Sequence, residues 1–352
     1  MKTNKFIAAN RRKTILLMAL FPITFVLLIY AVIILVSLFS APSGSETAAY
    51  NQMGASYDVI DAANMLAMQI LPIAAVISVI FILISYFSGH NFILSTAGAV
   101  QLNESNAPEI IGMVKNLAEK AKLPMPKVYA INDKNLNAFA TGRNPKNSYV
   151  VLTKGIANTL NKEELEGVIA HELSHIKNYD IRLMLITIVC ITFSVIAAEM
   201  VLRYAFFSRR SDSKNGAAIQ ILLIVLAIAL YLYGYLIAPL IRLAISRTRE
   251  FQADASAALI TGNANGLINA LRKISGHSVI ENLNDKETIA PICIATPLKS
   301  SKQNSLFSKW SGLFATHPPI EARIKALEAL ENDRLTSGIF SGSSATNPIS
   351  YR

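Results

Sequence analysis

Four long apolar runs divide the amino-acid sequence. They cover Ile15–Phe39, Ala67–Phe87, Leu183–Ala205 and Ala217–Ile241. A helix needs about 20 apolar residues to cross the hydrocarbon core of a bilayer, and each run is about that long or longer. The pattern therefore predicts two helical hairpins in a membrane, with more polar sequence before, between and after them.

The polar stretch between the hairpins mixes helix and strand patterns. Apolar positions with a helical period predict a helix within Asn106–Lys122. A second helix is predicted over residues 161–177, because Asn161 and Glu164 have the spacing of a capping box at its first turn. Short segments bounded by turn residues predict three strands, at Lys127–Ile131, Asn137–Thr141 and Ser148–Leu152.

After the second hairpin the pattern is again polar and helical. It predicts a helix over Ser246–Ile260 that continues into Leu267–Ile274, and a last helix over Glu321–Glu331. The predicted fold class is mainly α: polytopic membrane helices in two hairpins, with a soluble α+β domain that carries a short β-sheet. The predicted segments are a basic amino terminus (1–14), a first hairpin (15–87) with an external loop (40–66), a first part of the soluble domain (88–182), a second hairpin (183–241), a second part of the soluble domain (242–336) and a disordered tail (337–352).

Composition supports a membrane protein. Hydrophobic residues make up 52% of the chain and charged residues only 16%, whereas an ordinary soluble domain carries roughly 25% charged residues. The formal net charge is +10, yet no basic run is interleaved with aromatic residues. We therefore interpret the charge as cytoplasmic anchoring and expect no nucleic-acid partner. Of the two cysteines, Cys190 and Cys293, the first lies inside an apolar run, so no disulfide is expected.

Charges around the first hairpin predict its orientation. Five basic residues precede the first run, whereas the loop 40–66 contains acidic residues and no Lys or Arg. The positive-inside rule then places the amino terminus in the cytoplasm and the loop outside. The second hairpin leaves its depth open, because Arg209, Arg210 and Lys214 lie between its two runs, where full spanning would place them outside. A shallow, re-entrant or tilted hairpin is the alternative.

The segment His171-Glu-Leu-Ser-His175 has the pattern HExxH inside a predicted helix. Residues i and i+4 share one helix face, so both imidazoles can reach one zinc ion. Glu172 can then take the proton of a water that attacks a carbonyl group. Random placement of five His and 23 acids produces this pattern in fewer than about 1 in 100 such chains. The motif predicts one catalytic zinc per chain, with His171 and His175 as ligands and Glu172 as general base.

A catalytic zinc needs a third protein ligand, and local spacing does not supply it. Asn178 and Ile181 stand where the extended pattern HExxHxxGxxH has its glycine and its third histidine. The third ligand must therefore come from a distant helix, and the candidates are His277, His317 and several acids.

Glu250 stands out among those acids because Asp254 follows it four residues later on the same helix face. Glu250 could bind the metal while Asp254 holds a ligand imidazole in place. The alternative is a solvated acidic face beside Arg247 and Arg249. Spacing alone does not decide between these two interpretations.

Four stretches of the chain form a combination of motifs that is highly specific, although HExxH alone is shared by many metallopeptidases. They are Asn137–Gly142 (NAFATG), His171–His175 (HELSH), Ser246–Asp254 (SRTREFQAD) and Phe314–Ile324 (FATHPPIEARI). With these stretches in the family's order, two apolar runs before the first and two between the second and third, the chain resembles the HtpX-like membrane zinc metalloproteases, which are relatives of the CAAX prenyl proteases. The resemblance covers roughly residues 13–330. It implies a zincin-type catalytic domain with Glu250 as the third zinc ligand.

The resemblance also implies roles for other residues. Asn137 and His317 resemble a polar pair that stabilises the oxyanion; the alternatives are a turn residue and a helix cap before Pro318 and Pro319. Arg323 is expected to pair with an acid that orients the site, and the sequence does not identify that acid. His90 and His277 match no motif. An edge strand that pairs with an extended substrate is expected at Asn137, Ala138, Phe139, Ala140 and Thr141.

We therefore expect a multi-pass zinc endopeptidase of the bacterial cytoplasmic (inner) membrane, with its active site on the cytoplasmic side. By resemblance, its substrates are polypeptides, above all misfolded membrane proteins in quality control and the stress response. Two alternatives stay open: a processing protease dedicated to one substrate, and a membrane protein that binds clients without cleaving them. Oligomeric state and the role of the long loops 40–66 and 275–312 do not follow from the sequence.

Overall fold

The computed structural model describes residues 2–39, 59–207, 220–234, 247–275 and 318–337. The chain forms two compact units. The apolar unit consists of Ile15–Ser85 and Val189–Ala238, and the sheet unit of Met1–Thr14, Tyr86–Ile188 and Pro239–Arg352.

The elements in chain order are α1 (Lys2–Phe39), α2 (Val59–Thr96), β1 (Ala99–Gln101), α3 (Pro108–Lys120), β2 (Lys127–Ile131), β3 (Ala138–Asn144), β4 (Asn147–Thr153), α4 (Lys154–Thr159), α5 (Lys162–Lys177), α6 (Asp180–Phe207), α7 (Gln220–Gly234), α8 (Arg247–Thr261), α9 (Ala264–Ile274) and α10 (Ile320–Ser337).

Three of the described helices are long and apolar enough to cross a membrane. The segments are Thr14–Leu38 in α1, Ile60–Thr96 in α2 and the whole of α6. Many large apolar side chains on α1 and α2 are exposed, as lipid-facing side chains are. Helix α7 is apolar but shorter, and residues on both sides of it lie outside the described part of the chain. The depth of the second hairpin therefore stays a prediction.

The sheet unit contains a mixed four-stranded sheet with the strand order β1-β2-β4-β3. Strand β2 runs parallel to β4, whereas β1 pairs antiparallel with β2 and β3 pairs antiparallel with β4. The register of the last pair places Ala138 opposite Leu152 and Ala140 opposite Val150. Strand β3 is therefore at an edge of the sheet. The three predicted strands are confirmed with shifts at their ends, and the short β1 was not predicted.

The core of the sheet unit forms where α5 packs against the sheet and against α3, α8 and α9. The amino terminus of α5 has the predicted capping box: Asn161 Oδ1 accepts from the Glu164 backbone N–H at 2.9 Å, and Glu164 Oε2 accepts from the Asn161 N–H at 2.8 Å. Lys273 on α9 donates to the same Glu164 oxygen at 2.7 Å. The fully buried core residues of α5 are Val168, Ile169, Ala170, Leu173 and Ile176.

Two glycines allow α5 and α9 to approach closely. A Cβ atom on Gly167 would lie 2.7 Å from the backbone nitrogen of Leu267, and one on Gly266 would lie 2.4 Å from the carbonyl oxygen of Glu163. Real Cβ atoms are not found at such distances, so only glycine fits both positions without movement of a helix.

The prediction that the helix over 246–260 continues into 267–274 is wrong. Gly262 has φ +77°, a left-handed conformation that ends α8, as glycine often does just beyond a helix. Asn263 then caps the next helix, since its side chain accepts from the Asn265 N–H at 2.8 Å. The chain therefore changes direction between α8 and α9, which lets both helices pack against α5.

Candidate metal centre

Two helices of the sheet unit bring together three side chains of metal-binding type. Helix α5 carries His171 and His175 one turn apart, and α8 carries Glu250 in its first turn. The two histidine Nε2 atoms are 3.1 Å apart. The Glu250 carboxylate lies 3.8 Å from Nε2 of His171 and 3.6 Å from Nε2 of His175. All three residues are buried, and their ligand atoms lie within 4.8 Å of one another.

This arrangement fits a zinc ion. Two nitrogens that bind one tetrahedral zinc at 2.0–2.1 Å lie about 3.3 Å apart, close to the separation of the two histidine nitrogens. Two imidazoles and one carboxylate are also a usual set of protein ligands for a catalytic zinc. The structure therefore places the predicted histidine pair of α5 together with an acid from a different helix.

The Glu250 side chain and its neighbour Asp254 are each only 1% exposed. The alternative of a solvated acidic face is therefore wrong. Asp254 Oδ1 lies 2.9 Å from Nδ1 of His171, so the carboxylate orients the imidazole from the side opposite Glu250, as carboxylates behind metal-binding histidines do.

Arg323 is the partner of Asp254. Its guanidinium group donates two hydrogen bonds to the two carboxylate oxygens, at 2.9 Å and 2.6 Å, and both side chains are buried. Burial alone would raise the pKa of Asp254, but the charge and hydrogen bonds of Arg323 outweigh it and hold the pKa at about 2. The carboxylate therefore stays ionised behind His171, and the acid that the sequence left unidentified is Asp254.

His175 has a similar support that the sequence did not predict. Its Nδ1 atom lies 3.2 Å from Asp180 Oδ2, and Arg249 donates to the other oxygen of Asp180 at 2.9 Å. Asp180 is the first residue of α6, and the preceding Tyr179 has φ +60°, which marks a sharp turn between α5 and α6. The available signal was an aspartate five residues after His175, directly before an apolar run.

Glu172 follows His171 on α5 and is also buried. Burial alone would lower the pKa of His175, but its hydrogen bond to Asp180 and the charges of Glu250, Asp180 and Glu172 raise that pKa to about 9. The negative charge around the two imidazoles therefore favours a cation between them.

The other predicted site residues are Asn137, the edge strand and His317. Asn137 precedes β3 and is buried; its Oδ1 accepts from the Ala138 N–H at 2.9 Å, and its own N–H donates to Thr153 Oγ1 at 3.0 Å. Residues Ala138, Phe139, Ala140 and Thr141 are in the edge strand β3, which packs against α5. His317 lies outside the described residues.

The sequence profile of peptidase family M48 matches residues 104–331. Together with the apolar helices and the buried His–His–Glu group, this match defines a membrane-associated metalloendopeptidase. The chain belongs to peptidase family M48.

Known relatives agree with this assignment over almost the whole chain. A protein named Protease HtpX homolog from Bacteroides fragilis is 39% identical over 323 residues, which are 91% of this chain and 96% of the relative. A protein of the same name from Ligilactobacillus salivarius is 37% identical over 92% of this chain and 98% of its own. The crystal structure of S. mikatae Ste24p aligns with a TM-score of 0.41 and 18% identity, over 80% of this chain and 60% of that one. The two relatives named Protease HtpX homolog confirm the resemblance to HtpX-like proteases.

Proposed function

We propose that the chain is a zinc-dependent endopeptidase of the bacterial cytoplasmic membrane that cleaves misfolded membrane proteins from the cytoplasmic side. The observation that carries the proposal is the buried group of His171, His175 and Glu250, with Glu172 in the same buried site. The charge pattern around the first hairpin supports the cytoplasmic side. The quality-control role is supported by the resemblance to HtpX-like proteases.

His171, His175 and Glu250 would hold the zinc ion. A bound zinc ion supplies Lewis acidity, which polarises the peptide carbonyl and makes water a nucleophile at neutral pH. Asp254 and Asp180 hold the imidazoles by their Nδ1 atoms, so the Nε2 atoms stay directed at each other.

Glu172 acts as the general base. It takes the proton from the attacking water and passes it to the nitrogen of the leaving amine, which breaks the C–N bond. Asn137 and His317 would stabilise the negative charge on the carbonyl oxygen.

The edge strand β3 would position the substrate. An extended polypeptide can pair with an edge strand through its backbone, so recognition depends on extension more than on side-chain sequence. Unfolded chains and destabilised membrane proteins meet this requirement, whereas folded soluble proteins do not. The enzyme should therefore cut extended substrates at many sites, which mass spectrometry of the products would map. One dominant site with a sharp consensus would favour the dedicated processing protease.

Glu172→Gln tests the chemical role directly. The purified variant should lose most cleavage of an unfolded protein such as reduced casein, because an amide cannot accept the proton of the water. Glu163→Gln is the matched control, since Glu163 is an exposed residue of the same helix, and it should keep full activity. Cleavage by Glu172→Gln at the rate of the control, in preparations free of other proteases, would overturn the proposal.

A further inference from the structure

A hydrogen bond joins two arginines of the sheet unit that are on different elements. Arg143 is in β3, and its guanidinium carbon lies 5.0 Å from the ring centroid of Phe87. Arg182 is in the first turn of α6, and its guanidinium carbon lies 5.0 Å from the ring centroid of Tyr179. The Nε of Arg182 donates to the backbone oxygen of Arg143 at 2.5 Å. The Arg182 side chain is therefore held at the backbone of Arg143, and each guanidinium group lies over an aromatic ring.

Both arginines are next to the end of an apolar run. Phe87, beneath Arg143, is the last residue of the second run, is 55% exposed, and is followed by Ser88, Gly89, His90 and Asn91. Arg182 directly precedes the third run, which starts at Leu183. Residues at the ends of runs that cross a bilayer lie at the level of the lipid headgroups, where aromatic and basic side chains are enriched.

Within the described residues, neither arginine pairs with a carboxylate. Both are only partly exposed, and the Nε atom of Arg143 is buried without an acceptor. One turn after Phe87, His90 stacks on Tyr149 at 4.5 Å, and its Nδ1 is likewise buried without a partner. Buried polar nitrogens without a hydrogen-bond partner are rare in proteins because they cost free energy. A ligand oxygen that accepted from the Nε atom of Arg143 would remove that cost.

We propose that Arg143 and Arg182 bind the phosphate group of an anionic phospholipid. The guanidinium fork matches phosphate oxygens, and basic residues beside membrane helices attract anionic lipids. Free phosphate offers the same oxygens, but the exposed Phe87 ring at the end of a lipid-facing run favours a headgroup whose acyl chains follow that run. A headgroup bound to both arginines would connect β3 with the first turn of α6, where Arg182 follows Asp180 by two residues.

Native mass spectrometry of the purified full chain tests the site without any use of peptide hydrolysis. Phosphatidylglycerol and phosphatidylcholine are titrated separately into the protein. The double variant Arg143→Gln with Arg182→Gln should bind phosphatidylglycerol about 30-fold more weakly than the wild type. This factor follows when both arginines lose the energy that each basic residue near an anionic surface contributes. Phosphatidylcholine binding should change little. The matched control is Lys115→Gln with Lys120→Gln, which removes the same charge from exposed positions on α3 and should bind as the wild type does.

A second variant keeps the test independent of folding. Phe87→Glu at an exposed position places a carboxylate beside Arg143 and should also weaken phosphatidylglycerol binding, whereas Phe87→Gln should weaken it much less. Equal phosphatidylglycerol binding by the wild type, the double arginine variant and Phe87→Glu would overturn the proposal. So would inorganic phosphate that displaces the lipid at equal concentration, because the site would then be one for the free ion.

Discussion

Each histidine of the HExxH segment contacts a carboxylate that is itself held by an arginine. His171 contacts Asp254, which binds Arg323, and His175 contacts Asp180, which binds Arg249. Carboxylates in this position fix the ring orientation of a metal-binding imidazole and raise its basicity. Each arginine places a positive charge beside a buried carboxylate, where an unpaired charge would be very costly.

Loss of Asp180 should weaken metal binding. Asp180→Ala leaves Nδ1 of His175 without its acceptor, so the affinity for zinc should fall about 10- to 100-fold. Competition with a chromogenic chelator on the purified chain measures this. Asp180→Asn keeps an acceptor oxygen and should lose less. Asp180→Ala also removes the partner of the Arg249 guanidinium group. The double variant Asp180→Ala with Arg249→Met removes that charge too, so it should regain folding stability but not zinc affinity. Wild-type affinity in Asp180→Ala would show that Asp180 does not position His175.

The ion pair of Asp254 and Arg323 should make the free energy of unfolding depend on pH. The pKa of Asp254 is about 2 in the folded chain, against an ordinary value of 3.8. The unfolded chain therefore binds the proton first, so the stabilisation is present above about pH 4 and is lost as the pH falls towards 2. The test compares the free energy of unfolding in detergent of the wild type with that of the double variant Asp254→Asn with Arg323→Met. The difference between the two should be constant above pH 4 and should change below it.

The single variants supply the control for that pH series. Asp254→Asn alone removes the carboxylate charge that binds the buried Arg323 and should cost about 3–5 kcal/mol, which is more than the double variant costs. A difference between the wild type and the double variant that stays constant from pH 5 to pH 2.5 would contradict the assigned pKa.

At the residue scale, the sequence could predict what helical spacing determines. His171, Glu172 and His175 follow from the i, i+4 rule on one helix. Glu250 follows only when the resemblance is added, because no local rule joins residues 75 positions apart. Asp180 was missed because the turn at Tyr179 brings it back to His175, whereas the sequence pattern shows only the start of an apolar run.

Between elements, the close contact of α5 and α9 should be sensitive to one methyl group. Gly167→Ala places a Cβ 2.7 Å from the Leu267 nitrogen, so α9 must move, and we expect a loss of about 1–3 kcal/mol. Gly112→Ala on α3 is the control: no atom lies within 4 Å of its new Cβ, and helix propensity should make it neutral or stabilising by up to about 1 kcal/mol. Thermal unfolding of both variants measures the effect, and equal melting temperatures would contradict the predicted clash.

Element types were predictable where the sequence carries strong local signals. The capping box at Asn161 and Glu164 fixed the start of α5, and turn residues marked three of the four strands. The break between α8 and α9 was missed because apolar periodicity continues across it, while Gly262 alone reverses the backbone. Strand order was also beyond the sequence pattern, since pairing of β2 with β4 depends on contacts distant along the chain.

For the whole molecule, the apolar runs predicted helices that can cross a membrane, and three described helices meet that criterion. The sequence pattern did not predict the division into two compact units, because each unit consists of segments that are separated along the chain. The sidedness of the active site rests on the charge pattern of the first hairpin, and labelling can test it.

Single cysteines in the full chain should report this topology. With both native cysteines replaced by serine, Ser45→Cys lies in the predicted external loop, and Lys120→Cys lies on the exposed surface of the sheet unit, which also contains His171. A membrane-impermeant maleimide should label Ser45→Cys in intact cells, and Lys120→Cys only after the membrane is opened. Labelling of Lys120→Cys in intact cells would place the site on the external side.

Metal stoichiometry of the purified full chain tests the central claim, that His171, His175 and Glu250 together hold a catalytic zinc. Elemental analysis after equilibration with zinc and removal of the free ion should give about one zinc per wild-type chain. Glu250→Ala should lose the metal, whereas Glu172→Gln should keep it, since Glu172 is a base and not a ligand. Full zinc occupancy in Glu250→Ala, or no bound metal in the wild type, would contradict the account.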